Sequence, residues 1–328
     1  MVKITDVAER AGVAKSTVSN VLSGRKFVSE ELRIKVLNAC HELDFQPNFY
    51  ASGLSSSGKS NILALLLEAT PEIVKYPFYK DLIMSCLLRS AENGYSLLVY
   101  YDTDNAKLLK MLRQGRSPIG GAIMLAPNVN DERLAEMESN RTVCVVVGRP
   151  SISDISYVDV DNKKLVTTVA EKLIESYGTD VYLINSEGHT TISQDRAAAF
   201  REVCDRHAID FSTHHYQCQH DTVAEAYQFA INHVKKDAVF ITANETRARG
   251  VYQAVEEKGL QVGKDVGVFA LGRSIEHGTF SPKLSYAFQS YDRIGQLAVK
   301  ALIHEIETGE KSAQLIESDM IFRDSTQR

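Results

Sequence analysis

The sequence contains no long apolar run. Nowhere among its 328 residues do about 18 apolar residues follow one another, which excludes a membrane-spanning helix. Lys3, Arg10 and Lys15 interrupt the N-terminal stretch, so we expect no secretory signal. The G-x-S-x-G and H-E-x-x-H motifs of hydrolases are also absent. We therefore expect neither a catalytic centre nor a cofactor, and the protein is not predicted to be an enzyme.

Cysteine is scarce and shows no pairing pattern. The five cysteines are an odd number, lie far apart in the sequence and form no C-x-x-C pair. This usage is typical of reduced thiols in a cytosol. We expect a cytoplasmic protein, associated with the nucleoid if it binds DNA, and assign the thiols no role.

Acidic residues outnumber basic ones, and the formal net charge of −5 by itself argues weakly against nucleic acid as a partner. The charge is unevenly distributed. Residues 1–60 hold eight Lys or Arg against six Asp or Glu, a net charge of +2, so residues 61–328 carry −7. A slightly basic N-terminal segment is consistent with localised contact to phosphates.

Three short helices are predicted near the N-terminus. Thr5 is expected to cap the first, Gly12 to form the following turn, and residues 15–22 to form the second helix. Ser29 is expected to cap the third helix. Apolar residues at helical spacing predict a shared core. These residues are Ile4, Val7, Ala8, Ala11, Val13, Val18, Val21, Leu22, Leu32, Val36, either Ala39 or Cys40, and Leu43.

A different pattern begins after residue 60. Pro47 and Asn48 end the third helix, and residues 55–60 have the composition of a flexible linker. Beyond them, apolar runs of strand length alternate with helical stretches, which predicts two parallel α/β units. The predicted strands cover residues 62–67, 97–101, 122–125, 143–147, 181–185, 214–217, 238–242, 266–270 and 284–288. The predicted helices lie near residues 78–93, 105–114, 131–139, 162–177, 193–207, 222–235 and 246–258.

The fold class that follows is a small all-α helix-turn-helix headpiece plus an α/β core of two parallel-sheet subdomains. Ligands of open α/β sheets bind at the carboxyl ends of the strands, so two such sheets predict a binding cleft between them. The predicted segments are a headpiece at 1–46, a hinge helix and linker at 47–60, and a core at 61–328, whose subdomains comprise about 61–159 with 290–318 and about 160–289 with 319–328.

Residues 4–22, Ile-Thr-Asp-Val-Ala-Glu-Arg-Ala-Gly-Val-Ala-Lys-Ser-Thr-Val-Ser-Asn-Val-Leu, closely resemble the signature of the LacI/GalR repressor family. The resemblance continues through Val28-Ser29 and residues 43–48, and the core follows at the family's usual length. It implies a periplasmic-binding-protein-like core and a sequence-specific DNA-binding transcription regulator. In such a regulator, a sugar or sugar phosphate bound between the core subdomains controls repression of carbohydrate-utilisation genes.

An alternative is a solute-binding protein of a transport system, without a regulatory role. Its core would look the same, but it should carry an export signal where this chain has residues 1–60. As partners of a regulator, the resemblance implies double-stranded operator DNA, a small-molecule effector and a second copy of the chain in a homodimer, with no membrane.

The resemblance assigns DNA contacts to the second helix. Its first residues read base edges in the family, which transfers to Lys15, Ser16 and Asn20. Asn20 departs from the arginine that many relatives carry, which leaves the operator sequence open. Residues that match phosphate-contacting positions fix the register without reading sequence, although each could be only a cap or a surface hydroxyl. These residues are Thr5, Thr17, Ser19 and Ser23.

A hinge helix of the family folds on the operator and inserts a leucine into the minor groove. Leu54 matches that position, with Ala51 beside it. Gly53 disfavours a helix by about 1 kcal/mol relative to alanine, so this hinge should depend strongly on DNA for folding. The alternative is that Leu54 packs on the core.

Three stretches of the core match effector-contacting segments of the family, at residues 76–79, 194–196 and 243–245. Arg196 and Asn244 are the strongest candidates, because a guanidinium and an amide each engage sugar hydroxyls in two directions. Residues placed after predicted strands complete the set. The expected effector-binding residues are Phe78, Tyr79, Arg149, Arg196, His220, Asp221, Asn244 and Arg273.

The charge of these candidates favours an anionic effector. Arg149, Arg196 and Arg273 would be unpaired around a neutral sugar, and the turn at 271–274 lacks the aspartate that relatives often have. A pairing of Arg273 with a nearby carboxylate would instead keep the pocket neutral.

A histidine-rich stretch offers a possible metal site. His214, His215, Cys218 and His220 have ligand-forming side chains, but alternate residues of a strand point to opposite faces. At most part of the set could converge, and we expect no metal.

Overall fold

The structure is a computed structural model, and it describes residues 2–23, 27–45, 60–68, 77–102, 119–220, 222–272 and 280–327. The chain divides into two compact units. Residues 1–62 with 118–120 form the headpiece unit, and the remaining residues form the core.

The described part of the headpiece contains three helices: α1 (Ile4–Ala11), α2 (Lys15–Ser23) and α3 (Glu30–Glu42). Gly12 ends α1 in the left-handed conformation, at φ +65°, which glycine adopts without strain. The prediction of Thr5 as the cap of α1 is wrong. Lys3 occupies the cap position, and its backbone N–H donates to the Asp6 carboxylate over 2.9 Å, so α1 begins one residue before Thr5.

The three helices bury one small apolar cluster. Its fully enclosed side chains come from all three helices, as the helical spacing of the apolar residues predicts. An ion pair between Arg10 and Glu42 joins α1 to α3 at the surface. The buried residues are Val7, Ala8, Val18, Val21, Val36 and Ala39.

The described strands of the core form two six-stranded sheets. The strands of the first are β1 (Ile62–Glu68), β2 (Ser96–Asp102), β3 (Gly121–Leu125), β4 (Cys144–Val147), β5 (Ser156–Val160) and β11 (Ala313–Ile316), in the spatial order β11-β5-β4-β3-β1-β2. The strands of the second are β6 (Val181–Asn185), β7 (His215–Gln217), β8 (Val239–Thr242), β9 (Gly267–Ala270), β10 (Ser285–Phe288) and β12 (Asp319–Ile321), in the order β12-β10-β9-β8-β6-β7.

Parallel pairing dominates both sheets. In the first, β3 pairs parallel with β1 and β4, and β5 pairs parallel with β4 and β11. In the second, only the β10–β12 pair among the described pairs is antiparallel. The strands β3, β6, β8 and β9 are buried at every position, because helices cover both faces of a parallel sheet.

Helices flank the sheets and connect them. The described core helices are α4 (Pro77–Glu92), α5 (Glu132–Ser139), α6 (Asn162–Tyr177), α7 (Thr191–Arg206), α8 (Phe211–His214), α9 (Val223–His233), α10 (Glu245–Glu257) and α11 (Tyr291–Thr308). Among the described elements, the chain passes between the sheets through α6, through α11 and through the short link from β11 to β12. We call the first sheet with α4, α5 and α11 the first subdomain, and the second sheet with α6 to α10 the second subdomain.

The predicted fold class is confirmed, with some elements added. All nine predicted strands are present, with bounds that shift by no more than one residue. The sequence patterns missed β5, β11, β12 and the long helix α11. The helix predicted near 105–114 lies outside the described residues.

Candidate functional site

The second headpiece helix exposes its polar side. Val18 and Val21 of α2 are buried in the headpiece core, whereas Lys15 and Ser16 are exposed and Asn20 is half-buried. The short side chain of Ser16 and the long, positively charged side chain of Lys15 lie at the start of α2, where both can reach base edges in a major groove. The three predicted base-reading residues therefore occupy one helix whose opposite side is fixed by packing.

The predicted phosphate contacts are partly described. Thr5 is exposed in the first turn of α1, and its hydroxyl donates to Asp6 Oδ1 over 3.3 Å. Thr17 and Ser19 are half-buried on α2. Of Ser23 the structure describes only the backbone, at the end of α2, and the predicted hinge residues Ala51 and Leu54 lie outside the described residues.

A cavity of about 330 Å³ lies in the core, close to the lower end of the size range for small-molecule sites. Segments at the carboxyl ends of β3, β4 and β5 line it from the first subdomain, and segments after β6, β8, β9 and β10 line it from the second. This is the location that open parallel sheets favour for ligands. Among the predicted effector residues, Tyr79, Arg196 and Asn244 line the cavity.

A chain of hydrogen bonds fixes the polar centre of the cavity. Arg196 Nε donates to Asn162 Oδ1 over 2.9 Å, and Arg196 Nη1 lies 3.4 Å from the Ala243 carbonyl oxygen. Asn162 Nδ2 lies 3.4 Å from both carboxylate oxygens of Asp159. A carboxylate, an amide and a guanidinium are thus held in a row, with both subdomains contributing.

Burial sets the protonation of this row. Loss of solvent raises the pKa of Asp159 to about 7, although backbone amides of Val160 and Arg149 and the charge of Arg196 oppose the shift. Burial also lowers the pKa of Arg196 to about 10, against the attraction of Asp159. The pKa of the Tyr291 hydroxyl is raised by burial in the same region. At neutral pH the arginine stays charged, while the carboxyl titrates.

The other cavity residues have defined roles in the fold. Asn244 caps α10, since its side-chain oxygen accepts from the Arg247 backbone N–H over 3.1 Å, and both residues line the cavity. Tyr79 and Tyr291 add aromatic surface from α4 and α11. Of Phe78 only the backbone is described.

Arg149 is not among the residues that line the cavity. Its Nε and Nη2 atoms instead donate to the two carboxylate oxygens of Asp195, each over 2.6 Å. The prediction that Arg149 carries an unpaired charge into the cleft is therefore wrong, because Asp195 lies within reach once α7 is folded. One of the three arginines on which the expected anionic effector rests is neutralised by this pair.

The remaining predicted residues do not reach the cavity or cannot be placed. His220 is exposed and does not line the cavity, and its backbone N–H donates to Glu225 Oε2 over 2.8 Å. Asp221 and Arg273 lie outside the described residues.

Sequence reasoning missed several lining residues. Asp159 lies on β5, a strand that the apolar pattern did not predict, and Tyr291 begins the unpredicted helix α11. Gln289, by contrast, directly follows a predicted strand, and that position could have identified it. Arg247 gave no signal, because its burial depends on how α10 packs.

Three further features do not indicate other sites. Within the described residues, no group of three or more His, Cys, Asp and Glu side chains could hold a metal ion. None of the described helices is long and apolar enough to cross a membrane. Residues 53–60 match the spacing G-x-x-x-x-G-K-S of a phosphate-binding loop, but the match precedes a strand where such a loop follows one.

The headpiece and the core together define a class: transcription regulators with a helix-turn-helix DNA-binding domain and a periplasmic-binding-protein-like core. The family model for bacterial regulatory proteins of the lacI family matches residues 3–48. A model for periplasmic binding protein-like domains matches residues 170–326. The chain therefore has a LacI-family helix-turn-helix domain followed by a periplasmic-binding-protein-like domain.

Named relatives support this placement. The ribose operon repressor of Escherichia coli K12 is 29% identical over 318 residues, 93% of either chain. The transcriptional repressor PurR of Proteus mirabilis is 27% identical over 331 residues, 97% of this chain and 94% of PurR. Among solved structures, a lac repressor dimer bound to operator and the anti-inducer ONPF superimposes with a TM-score of 0.81 at 20% identity, covering 100% of this chain and 99% of that one. This last match shows the fold.

Proposed function

We propose that the protein represses carbohydrate-utilisation genes by binding an operator as a homodimer, under control of a sugar bound in the core cavity. The observation that carries the proposal is the combination of an exposed polar face on α2 with a cavity enclosed by two subdomains. A transport binding protein does not need a helix with an exposed polar face such as α2. The lacI-family match over residues 3–48 also favours the regulator. Such a protein acts in the cytoplasm, on nucleoid DNA, without catalytic turnover.

In this proposal the headpiece recognises the operator through α2. Lys15, Ser16 and Asn20 read base edges, and the amide of Asn20 can pair with adenine in two hydrogen bonds. Thr5, Thr17, Ser19 and Ser23 contact phosphates, and Ala51 and Leu54 of the hinge enter the minor groove. With a net charge of +2, one headpiece neutralises few phosphates, so two headpieces are needed for tight binding at physiological salt.

An exposed apolar surface on the core fits the homodimer. Met84, Leu87 and Leu88 lie three and four residues apart on α4, and 45%, 40% and 52% of their respective surfaces are exposed. Val99 and Tyr101 of the edge strand β2 lie two residues apart on one face of the strand and are exposed to a similar degree. Exposed apolar clusters of this kind mark interfaces, and we propose this one as the contact between two copies.

The described charges of the cavity favour a neutral ligand over a phosphate. Asp159, Glu187 and Glu245 are the acidic lining residues, and Arg196 and Arg247 are the basic ones. The sequence alone favoured an anionic effector, but Arg149 is paired with Asp195. A hydroxyl-rich sugar can donate to carboxylates and accept from guanidiniums, whereas a phosphate would meet Glu187 and Glu245 beside the two arginines.

Two experiments test the proposal. Binding-site selection from random DNA with the full chain should enrich a pseudo-palindromic sequence, and failure to enrich any sequence would contradict the DNA-binding role. A thermal-shift screen of sugars should then identify a stabilising ligand, with ribose and ribose 5-phosphate as a matched neutral and anionic pair. Stabilisation by the phosphate alone would refute the neutral ligand.

A further inference from the structure

The two subdomains are joined by direct contacts at one rim of the cavity. The segment after β3 meets the loop before α7, where the Val129 backbone N–H donates to the His189 carbonyl oxygen over 2.7 Å. A little further along the rim, the Thr191 hydroxyl of α7 donates to the Arg149 carbonyl oxygen over 2.6 Å. These hydrogen bonds cross from the first subdomain to the second.

The side chain of Arg149 adds the strongest contact of this rim. Both of its donating nitrogens reach Asp195 of α7 over 2.6 Å, a two-pronged pairing between a cation and an anion. The Asp195 side chain is only 10% exposed, whereas the Arg149 side chain is 41% exposed. The hydrogen bond to Asp195 raises the pKa of Arg149 further, so the arginine remains charged.

Each partner of the ion pair adjoins a residue of the cavity. Gly148 precedes Arg149 and lines the cavity, and Arg196 follows Asp195 and lines it as well. A ligand that contacts both Gly148 and Arg196 therefore binds directly beside each partner of the ion pair. Because the two partners belong to different subdomains, their distance changes whenever the cleft opens.

We propose that Arg149 and Asp195 form a clasp between the subdomains, closed when the cleft is closed and broken when it opens. Arg149 is then a positioning residue, not a ligand contact. The clasp raises the fraction of molecules with a closed cavity, and so it tunes how readily a ligand changes the state of the core. This last consequence rests on the proposed function, whereas the clasp itself is testable without DNA or ligand.

The test is amide hydrogen exchange in the full chain, followed by mass spectrometry on peptides that cover residues 127–131. The Val129 amide has its acceptor on the opposite subdomain, so opening of the cleft exposes it to solvent. Arg149→Met and Asp195→Asn should each accelerate its exchange by about tenfold or more, because each removes one charge of the pair. The charge-reversed double variant, Arg149→Asp with Asp195→Arg, should restore slow exchange.

A matched control separates the clasp from general destabilisation. Arg206→Met breaks a comparable ion pair, Arg206 to Glu171 at 2.7 Å, which joins α6 to α7 and does not cross the cavity rim. The Arg206→Met variant should leave the exchange rate of the Val129 amide unchanged. Unaltered exchange of Val129 in both clasp variants would overturn the proposal. Equal acceleration in Arg206→Met would also overturn it, as would equal acceleration at Val239, which lies inside the second sheet.

Discussion

The Nε atom of Arg196 donates to Asn162 Oδ1 over 2.9 Å, and this bond fixes the guanidinium at the wall of the cavity. Arg196 lies on α7 of the second subdomain, whereas Asn162 begins α6, directly after β5 of the first. Asn162 also lies against the Asp159 carboxylate. The Arg196 guanidinium is therefore already oriented before a ligand binds. A ligand can form hydrogen bonds to it without the entropy cost of ordering a flexible side chain.

The raised pKa of Asp159 predicts a specific pH dependence of stability. The ordinary pKa is 3.8 and burial raises it to about 7, so between these values the folded chain holds a proton that the unfolded chain has lost. The contribution of Asp159 to stability is therefore lost as the pH rises from about 4 to about 7. Asp159→Asn should remove this loss. Relative to the unaltered chain, the variant should gain up to about 4 kcal/mol at pH 8 and much less at pH 5.

Urea denaturation of both proteins at pH 5 and pH 8 measures the difference directly. If Asp159→Asn changes the unfolding free energy by the same amount at pH 5 and at pH 8, the Asp159 carboxyl does not titrate between these pH values.

Substitutions on α2 should separate base contacts from phosphate contacts. Lys15→Ala and Asn20→Ala should each relax the preference at particular operator positions, by about 1–3 kcal/mol per lost base contact. Ser19→Ala should weaken binding to all sequences by a similar factor, because phosphate contacts carry no base preference. Binding-site selection with each variant gives the comparison. A uniform loss in all three variants would disprove the assignment of Lys15 and Asn20 to base reading.

A charge on the exposed face of α4 should dissociate the proposed homodimer. Leu88→Glu places a carboxylate among Met84 and Leu87, and its desolvation at an interface should shift the core to monomers. Sedimentation velocity at micromolar concentration measures the change. Leu315→Glu on β11 is the matched control, since Leu315 is equally exposed, at 52%, but lies on the opposite edge strand of the first sheet. A monomeric unaltered chain, or equal dissociation by both variants, would contradict the proposed interface.

The contact between α9 and α10 should not tolerate a methyl group at Gly250. A Cβ atom there would approach the Tyr227 backbone nitrogen to 2.6 Å and the Val223 carbonyl oxygen more closely still. Neither backbone atom can move without displacing α9, so Gly250→Ala should destabilise the core by about 1–3 kcal/mol. Gly272→Ala is the control, because its Cβ would find no atom closer than 3.7 Å. Thermal unfolding that ranks the two variants equally would refute this packing argument.

Local patterns determined the elements of the fold. Apolar residues three and four positions apart within one helix, such as Val18, Val21 and Leu22 of α2, predicted the headpiece helices and their core. The buried strands were predicted from apolar runs such as residues 181–185 and 238–242. The search for apolar runs did not predict strand β5, because its sequence, Ser-Tyr-Val-Asp-Val, mixes polar and apolar residues. Ser156 and Asp159 are the polar residues with buried side chains in that run, and Asp159 lines the cavity.

The sequence by itself determined the headpiece and the two-sheet core, since both depend on neighbours along the chain. Its resemblance to a known family made Arg196 and Asn244 candidates for ligand binding. Only the tertiary structure decided which charges meet. Arg149 and Asp195 are 46 residues apart and pair across the cavity rim, and Asp159 acquires its raised pKa from the atoms that bury it. Pairing and burial depend on distances through space, and those distances exist only after both sheets have folded against each other.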